Sequence, residues 1–238
     1  MKNTILPGGL ALVLAGAAPA ATTAGSWNRA VDLGATYASG NSDVTLLTAG
    51  FTVDGEVDRD LYAASLRYAY GEDSGTTSSD SFLGSLSWRR LLDERSYAGL
   101  RLDGRYDALA DIDYRISLSA LYGYFFIKNE KTRFSLEGGP GYTVEKVGGV
   151  TDSYLNLYAG DRFEHQLSDT TRIYQSLSWF APAEDLGDYQ LIGEIGLETV
   201  LTDRLSLKIY VEDKFEAQPA PGRKDNDLRV VTGISYKF

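Results

Sequence analysis

Apolar and polar residues alternate along this chain in short runs, and residues 112–127 show the pattern most clearly. Every even-numbered position from Ile112 to Phe126 is uncharged, whereas the odd-numbered positions begin with Asp113 and Arg115. Successive side chains of an extended strand point to opposite faces, so a period of two predicts a strand with one apolar and one polar face. A chain that repeats this pattern is predicted to form an antiparallel sheet.

The alternation recurs in twelve runs, and no helical period interrupts them. The runs are roughly residues 30–38, 44–54, 61–70, 82–91, 97–106, 112–127, 133–144, 154–166, 172–180, 189–200, 205–215 and 228–238. The composition agrees, because 25 Gly and 16 Tyr against one Met and one His favour strands and turns. An even number of strands lets an antiparallel sheet close on itself without an exposed edge.

Connections between the runs alternate in length. The short set is EVDRD, LDERS, KNEK, LSDT and LTDR, and the long set includes GEDSGTTSSD, DALADID, KVGGVTD, APAEDLGD and AQPAPGRKDND. Only Gly40-Asn41-Ser42 is tight where the pattern permits a long connection. Outer-membrane barrels place short turns at the periplasmic rim and longer loops outside, so this rhythm predicts such a barrel.

The alternation alone does not say which face points inward, but the predicted size does. Twelve strands enclose more space than the eight-stranded barrels that side chains just fill, so an apolar interior would leave a void or require a ligand. The apolar face is therefore predicted to contact lipid, and aromatics near run ends, such as Tyr68, Tyr122 and Trp179, fit interfacial girdles. The predicted fold class is all-β, an antiparallel transmembrane β-barrel of about twelve strands. A soluble lipocalin-like barrel is the alternative.

Two polar residues break the apolar face. Asp161 and Gln175 occupy positions that should contact lipid, and a β-bulge in the eighth or ninth run would move them to the other face.

The N-terminus has the features of an export signal. Lys2 precedes an apolar run, Ile5 to Ala17, and cleavage is expected after Ala20 or Ala24. Residues 1–24 are therefore predicted to be a signal peptide and residues 25–238 to form the barrel. The chain has no cysteine, so the exported protein is expected to be stabilised by paired backbone groups and burial rather than by disulfides.

The polar faces predict a charged lumen. Arginines of the third to seventh runs should share one wall, and glutamates of the tenth and eleventh runs should lie opposite. They are Arg67, Arg89, Arg101, Arg105, Arg115 and Arg133, and Glu194, Glu198 and Glu212. Separated basic and acidic walls would set up a transverse field that orders permeating solutes. A web of ion pairs completed by Arg162, Lys208, Lys214 and Arg229 would instead plug the barrel, and the sequence leaves both open.

Residues for catalysis are not evident. A serine lipid hydrolase needs a base, nearly always histidine, and the single histidine, His165, is predicted to face lipid near a periplasmic turn. GGPG at Gly138–Gly141 lies within a strand and is expected to relieve crowding rather than bind a phosphate. We predict no catalytic, cofactor-binding or metal-binding residue and no enzymatic activity. A lipid-modifying enzyme of the outer membrane is the alternative.

Several segments resemble a known family. LGATYASGNSDVT, LEGGPGYTVEK, EHQLSDTTRIYQSLSW and the C-terminal segment from LTDRLSLKIY onward are similar to the YdiY-like family of salt-induced outer-membrane proteins, which are grouped by a domain of unknown function. The resemblance implies the bacterial outer membrane. It carries over no catalytic or binding residue, and the expected function is a narrow pore for small solutes or ions, or a role in envelope or salt stress. A structural barrel with a plugged lumen is a further alternative.

The chain ends inside a strand, VVTGISYKF. Gly233, Tyr236 and Phe238 resemble the signal that the outer-membrane assembly machinery reads, and this strand is expected to pair with the first near Val31–Tyr37. The expected partners are therefore outer-membrane lipids, the barrel-assembly machinery and periplasmic chaperones. Nucleic acid is not expected, because no basic stripe with stacking aromatics is present. The sequence leaves the oligomeric state open.

Overall fold

A computed structural model describes residues 26–38 and 44–238 as one closed antiparallel barrel. Its twelve strands are β1 (Ser26–Ala38), β2 (Val44–Val57), β3 (Asp60–Asp73), β4 (Thr76–Leu91), β5 (Ser96–Asp107), β6 (Ile112–Lys128), β7 (Thr132–Val147), β8 (Val150–Gln166), β9 (Thr171–Pro182), β10 (Gln190–Val200), β11 (Leu205–Glu216) and β12 (Asn226–Lys237). The predicted signal peptide, residues 1–24, and the connection at Gly40-Asn41-Ser42 lie outside the described residues. No helix within these ranges is long and apolar enough to span a bilayer.

The predicted closure between the last strand and the first is confirmed. β1 pairs with β12 from Ala30↔Lys237 to Gly34↔Gly233, five residue pairs within the described chain, and the Phe238 amide donates to the Arg29 carbonyl at 3.2 Å. The ladder is shorter than the expected span, which reached Tyr37. Pairing at this seam therefore lies toward the rim where the chain ends.

The prediction of long connections at one rim is wrong at two places. Ser74–Gly75 and Gly148–Gly149 are two-residue turns, and the residues around them extend β3, β4, β7 and β8. All four turn residues have positive φ angles, from 50° at Ser74 to 79° at Gly75. That geometry matches the twist of the flanking strands, so hairpins of this kind need no loop. The longer connections at this rim are residues 108–111, 183–189 and 217–225.

The apolar face of the sheet points outward, as predicted. Leu118 on β6 is 51% exposed, whereas its neighbours Ser117 and Ser119 are 4% and 0% exposed. Large apolar side chains on the other strands, such as Leu66 and Leu197, are likewise exposed. A soluble barrel would bury these residues, whereas contact with lipid requires them outside. We assign the rim whose connections are all of two to four residues to the periplasm, because the longest connections lie at the other rim.

Two local departures have physical explanations. No bulge interrupts the β8–β9 ladder, so Asp161 and Gln175 do face outward, where the Gln175 amide donates to the Asp161 carboxylate at 3.3 Å. A bulge does occur in the β6–β7 ladder, between Ile112 and Tyr114. Ile112, predicted to face lipid, is therefore buried, and Asp113 pairs with Lys146 at 2.6 Å rather than facing the lumen.

Candidate functional site: the charged lumen

The structure places all nine predicted lumen residues on the inward face, but it does not keep the two walls apart. Eight of them make ion pairs: Arg67, Arg89, Arg101, Arg105, Arg115, Glu194, Glu198 and Glu212. The ninth, Arg133, lines the cavity described below. The predicted transverse field is thus largely neutralised by direct pairing.

At the outer end of the lumen, arginines reach across the barrel to the acidic side. Arg115 on β6 donates to Glu216 on β11 at 2.7 Å and to the amide oxygen of Gln190 on β10 at 2.9 Å. Arg105 on β5 also pairs with Glu216. Since β5 and β6 lie about half a turn around the ring from β11, these contacts cross the lumen. We call Arg105, Arg115, Gln190 and Glu216 the outer network.

Below the outer network, one more arginine spans the lumen. Arg67 on β3 contacts Glu194 at 2.6 Å and Glu212 at 2.5 Å, and its guanidinium lies 5.1 Å from the ring centre of Tyr210. We call Arg67, Glu194 and Glu212 the central bridge. Glu212 is only 2% exposed and also lies within ion-pair distance of Lys214 and Arg229. Charges buried this deeply persist only when they are paired. Ion pairs therefore cross the outer half of the lumen at two levels.

The loop 217–225 adds a second closure above the outer network. It connects β11 to β12, yet its Arg223 lies 3.9 Å from Asp111 and its Gln218 donates to Asp185 at 3.3 Å. These partners belong to the β5–β6 and β9–β10 connections, so the loop extends over the outer opening. Asp188, in the same β9–β10 connection, has its carboxyl pKa raised by partial burial, which outweighs the opposing effect of Arg115. The outer entrance is therefore covered by backbone as well as by charged side chains.

A cavity of about 800 Å³ begins at the periplasmic rim. It extends from residues at the strand ends, such as Asn28, Arg133 and Lys237, up to Arg105 and Arg115 of the outer network. Its β1–β4 wall includes six small side chains, namely Ala30, Gly50, Thr52, Ala63, Ser65 and Ser85. These short side chains extend only a small distance into the lumen, which leaves space for a solute.

On the β4–β8 side of this cavity, several side chains donate hydrogen bonds to one carboxylate. Glu137 on β7 accepts two hydrogen bonds from Arg89, each of 2.8 Å, and one each from the hydroxyls of Tyr97 and Tyr158, both of 2.9 Å. Arg101 lies 3.9 Å away. We call these five residues the Glu137 cluster. It connects β4, β5, β7 and β8 along one side of the barrel and leaves the lumen beside it open.

A glycine in the wall makes room for the cluster. Tyr97 lies opposite Gly123 in the β5–β6 ladder, and a Cβ atom at Gly123 would overlap the Tyr97 ring. The glycines of GGPG act in a related way, because a Cβ at Gly139 would collide with the Ala120 carbonyl of the next strand. The expectation that these glycines relieve crowding is confirmed for Gly139.

Sequence reasoning missed three of the most connected lumen residues. Glu137 and Glu145 have the same parity as Arg133 on β7, so their inward direction could have been read from the alternation. Glu145 pairs with Arg115. Glu216 was missed because the eleventh run was predicted to end one residue earlier, whereas β11 includes it.

His165 lies where the sequence predicted, on the outward face near the periplasmic end of β8. Its Nδ1 is 2.7 Å from the Thr132 hydroxyl and its ring stacks with Phe163 at 6.4 Å. It is thus remote from the polar lumen. Within residues 26–38 and 44–238, no group of three or more His, Cys, Asp or Glu residues has metal-binding geometry.

Comparison with known proteins agrees with this architecture. The profile of "Protein of unknown function, DUF481" matches residues 31–238. The chain belongs to the DUF481 family. A comparison of this chain with curated protein sequences found no significant match.

Two solved structures share its fold. The NanC porin has a TM-score of 0.55 and 10% identity, covering 87% of this chain and 100% of the porin. An outer membrane channel from Pseudomonas putida F1 has a TM-score of 0.52 and 12% identity, covering 92% and 97%. At these identities the similarity shows the fold alone. Together with the apolar outer surface, it establishes this DUF481 protein as a bacterial outer-membrane β-barrel with the architecture of porins and channels.

Proposed function

We propose that the barrel is a narrow passage for small ions and polar solutes across the outer membrane, closed at its outer end in the conformation described. The observation that carries this proposal is the charged cavity of about 800 Å³, which reaches from the periplasmic strand ends to the underside of the outer network. Above it, closure depends on side chains and one loop, both of which can rearrange without breaking the barrel wall.

The proposal can be tested at Glu216, the carboxylate that Arg105 and Arg115 share. Replacing Glu216 by alanine removes the acidic end of the contacts that cross from Arg105 and Arg115. Each arginine keeps a carboxylate on its own side, since Arg105 lies 3.4 Å from Asp107 and Arg115 pairs with Glu145. The barrel is therefore expected to stay folded while the two ion pairs that cross to Glu216 are lost. The crossing from Arg115 to Gln190 and the central bridge remain.

The matched control is Glu145→Ala. It removes one carboxylate from the same guanidinium but leaves the crossing from Arg115 to Glu216 in place. We expect refolded Glu216→Ala protein to open more often, or to larger conductance steps, than the wild type in a planar bilayer, and Glu145→Ala to resemble the wild type. Heat-modifiable migration on gels would verify that both variants are folded.

A structural barrel with a plugged lumen is the second candidate. It is favoured by one observation, the near-complete burial of Glu212, Lys214 and Arg229 in the outer half of the lumen. The same recordings decide between the two functions. If neither the wild type nor Glu216→Ala shows conductance above that of the empty bilayer, the passage is abandoned and the plugged barrel is retained.

The resemblance to the YdiY-like proteins supports a narrower placement within DUF481 and a role in salt or envelope stress. Both are part of the proposal. A strain lacking the gene should grow more slowly than its parent after a shift to high salt, and equal growth would count against that role.

A further inference from the structure

Charges without partners remain at the periplasmic mouth of the cavity. Asp54 and Glu56 project inward near the end of β2, and both are exposed. Among the described residues, no cation lies within ion-pair distance of either one; Asp54 only accepts a hydrogen bond from the Asn28 amide at 3.0 Å. Both carboxylates are therefore available to a cationic group in solution.

The opposite side of the mouth is basic. Arg133 on β7 is exposed, and it too makes no ion pair with the residues that the structure describes. Nearby, Arg162 and Arg172 on β8 and β9 share Glu164, and Arg172 also pairs with Glu198 at 2.6 Å. Arg133, Arg162, Arg172 and the Lys237 that also contacts Glu198 thus accompany two carboxylates, which leaves this side positive.

The two sides face each other. In the closed ring, β2 lies five strands from β7 and six from β8, so their inward side chains are on opposite walls of the cavity. A transverse field is therefore expected at the mouth, between β2 and β7–β9 and not between the strands predicted from the sequence. A dipolar solute would be oriented there.

The wall between the charged sides is rich in hydroxyl groups. Ser65 and Ser85 bond to each other at 2.8 Å, and Thr52 lies next to Ser65 in the β2–β3 ladder. The side chains of Thr52, Ser65 and Ser85 line the cavity. Their hydroxyl groups suit a polar guest.

We infer that this mouth binds small zwitterions, solutes that carry a carboxylate and an ammonium group on one short chain. The carboxylate is bound by Arg133 and Arg162, and the ammonium by Asp54 and Glu56. A simple anion or cation meets only one of the two charged sides. This inference deepens the proposed function, because it names the solute class for the same cavity, and it depends on the cavity being accessible from the periplasm.

The test is a titration of the full-length barrel in detergent micelles with three matched probes, 4-aminobutanoate, butanoate and butylammonium. Binding is measured by calorimetry at equal ionic strength, with the heats of empty micelles subtracted. We expect the zwitterion to bind about fivefold more tightly than either single-charge probe, the gain expected of one additional partly exposed ion pair.

Variants on the two sides should separate the contributions. Asp54→Asn with Glu56→Gln should remove the preference over butanoate, and Arg133→Gln should remove the preference over butylammonium. The control is Asp225→Asn in the outer loop, which should leave all three affinities unchanged. The inference would be overturned if the wild type bound the three probes with equal affinity. It would also be overturned if both variants still bound 4-aminobutanoate more tightly than the two single-charge probes.

Conductance recorded on the same preparations keeps this inference distinct from the proposed passage. Zwitterion binding without conductance would retain the site and remove the passage. Conductance without any preference among the probes would retain the passage and remove the zwitterion site.

Discussion

The outer and periplasmic halves of the lumen contain the same kinds of charged residue, but they pair them in different directions. In the outer half, Arg67, Arg105 and Arg115 cross the lumen to β10 and β11. In the periplasmic half, Arg89 and Arg101 turn along the wall to Glu137. Crossing pairs fill the lumen, whereas pairs along the wall leave a cavity. The number of charges in a barrel therefore does not separate a pore from a plug.

The two halves also differ in how many partners each charge has. Glu212 contacts three cations, and each has another carboxylate close by. Arg67 reaches Glu194, Lys214 reaches Asp107 and Arg229 reaches Asp227. In the periplasmic half, Glu137 is the one carboxylate paired with Arg89 among the described residues. The outer half is thus redundant, and the Glu137 cluster is not.

The largest effect is expected from deleting Phe238, because closure of the barrel depends on its periplasmic end. The β1–β12 ladder lies there, and the Phe238 amide bonds to Arg29. Deletion should remove most of the folded protein from the outer-membrane fraction, measured by heat-modifiable migration on gels. Phe238→Tyr keeps the aromatic and the amide, and it should insert normally. Wild-type levels of the truncated protein would show that this end is dispensable.

A smaller effect is expected at Glu137. Glu137→Gln leaves the buried Arg89 without its carboxylate, and loss of one partner from a buried pair costs about 3–5 kcal/mol of unfolding free energy. Glu212→Gln should cost about 1–2 kcal/mol, because its cations keep other hydrogen-bonding partners. Denaturant unfolding in micelles, followed by tryptophan fluorescence, measures both. If Glu212→Gln proves the more damaging, the outer half is not redundant.

The smallest effect concerns Asp188 above the outer network. Because burial raises the pKa of this carboxyl in the folded protein, its ionised form opposes folding at neutral pH, and the penalty is relieved as the pH falls through that raised pKa. Asp188→Asn should therefore stabilise the barrel at pH 7 by about 0.5 kcal/mol or less, since the site is partly exposed. The difference should vanish below the pKa of an ordinary aspartate. A difference that is independent of pH would mean that charge is not its cause.

Most of the fold could be predicted from the sequence, because a lipid-facing sheet imposes alternation on every strand. The strand number, the outward apolar face and the closing pair of strands followed from that period of two. Turn geometry did not follow as well, since GEDSGTTSSD and KVGGVTD look like loops by composition. Left-handed conformations at Ser74, Gly75, Gly148 and Gly149 instead allow two-residue hairpins there.

The lumen was harder to predict than the wall. All nine candidate side chains line the cavity, but parity contains no information about how far each side chain reaches. An arginine side chain is long enough either to cross the barrel, as Arg67 does, or to lie along the wall, as Arg89 does. The choice depends on which carboxylates share its height, and height depends on strand register. Register and the bulge near Ile112 are tertiary properties that a single sequence does not display.

The short seam between β1 and β12 determines how this barrel comes apart. Within the described residues its ladder has five pairs, from Ala30↔Lys237 to Gly34↔Gly233, whereas β7 and β8 pair along sixteen. A cooperative sheet opens first where the fewest hydrogen bonds must break together. Under mechanical load or in denaturant, the wall should therefore unzip from the outer end of this seam, which makes these five pairs the determinant of the barrel's kinetic lifetime.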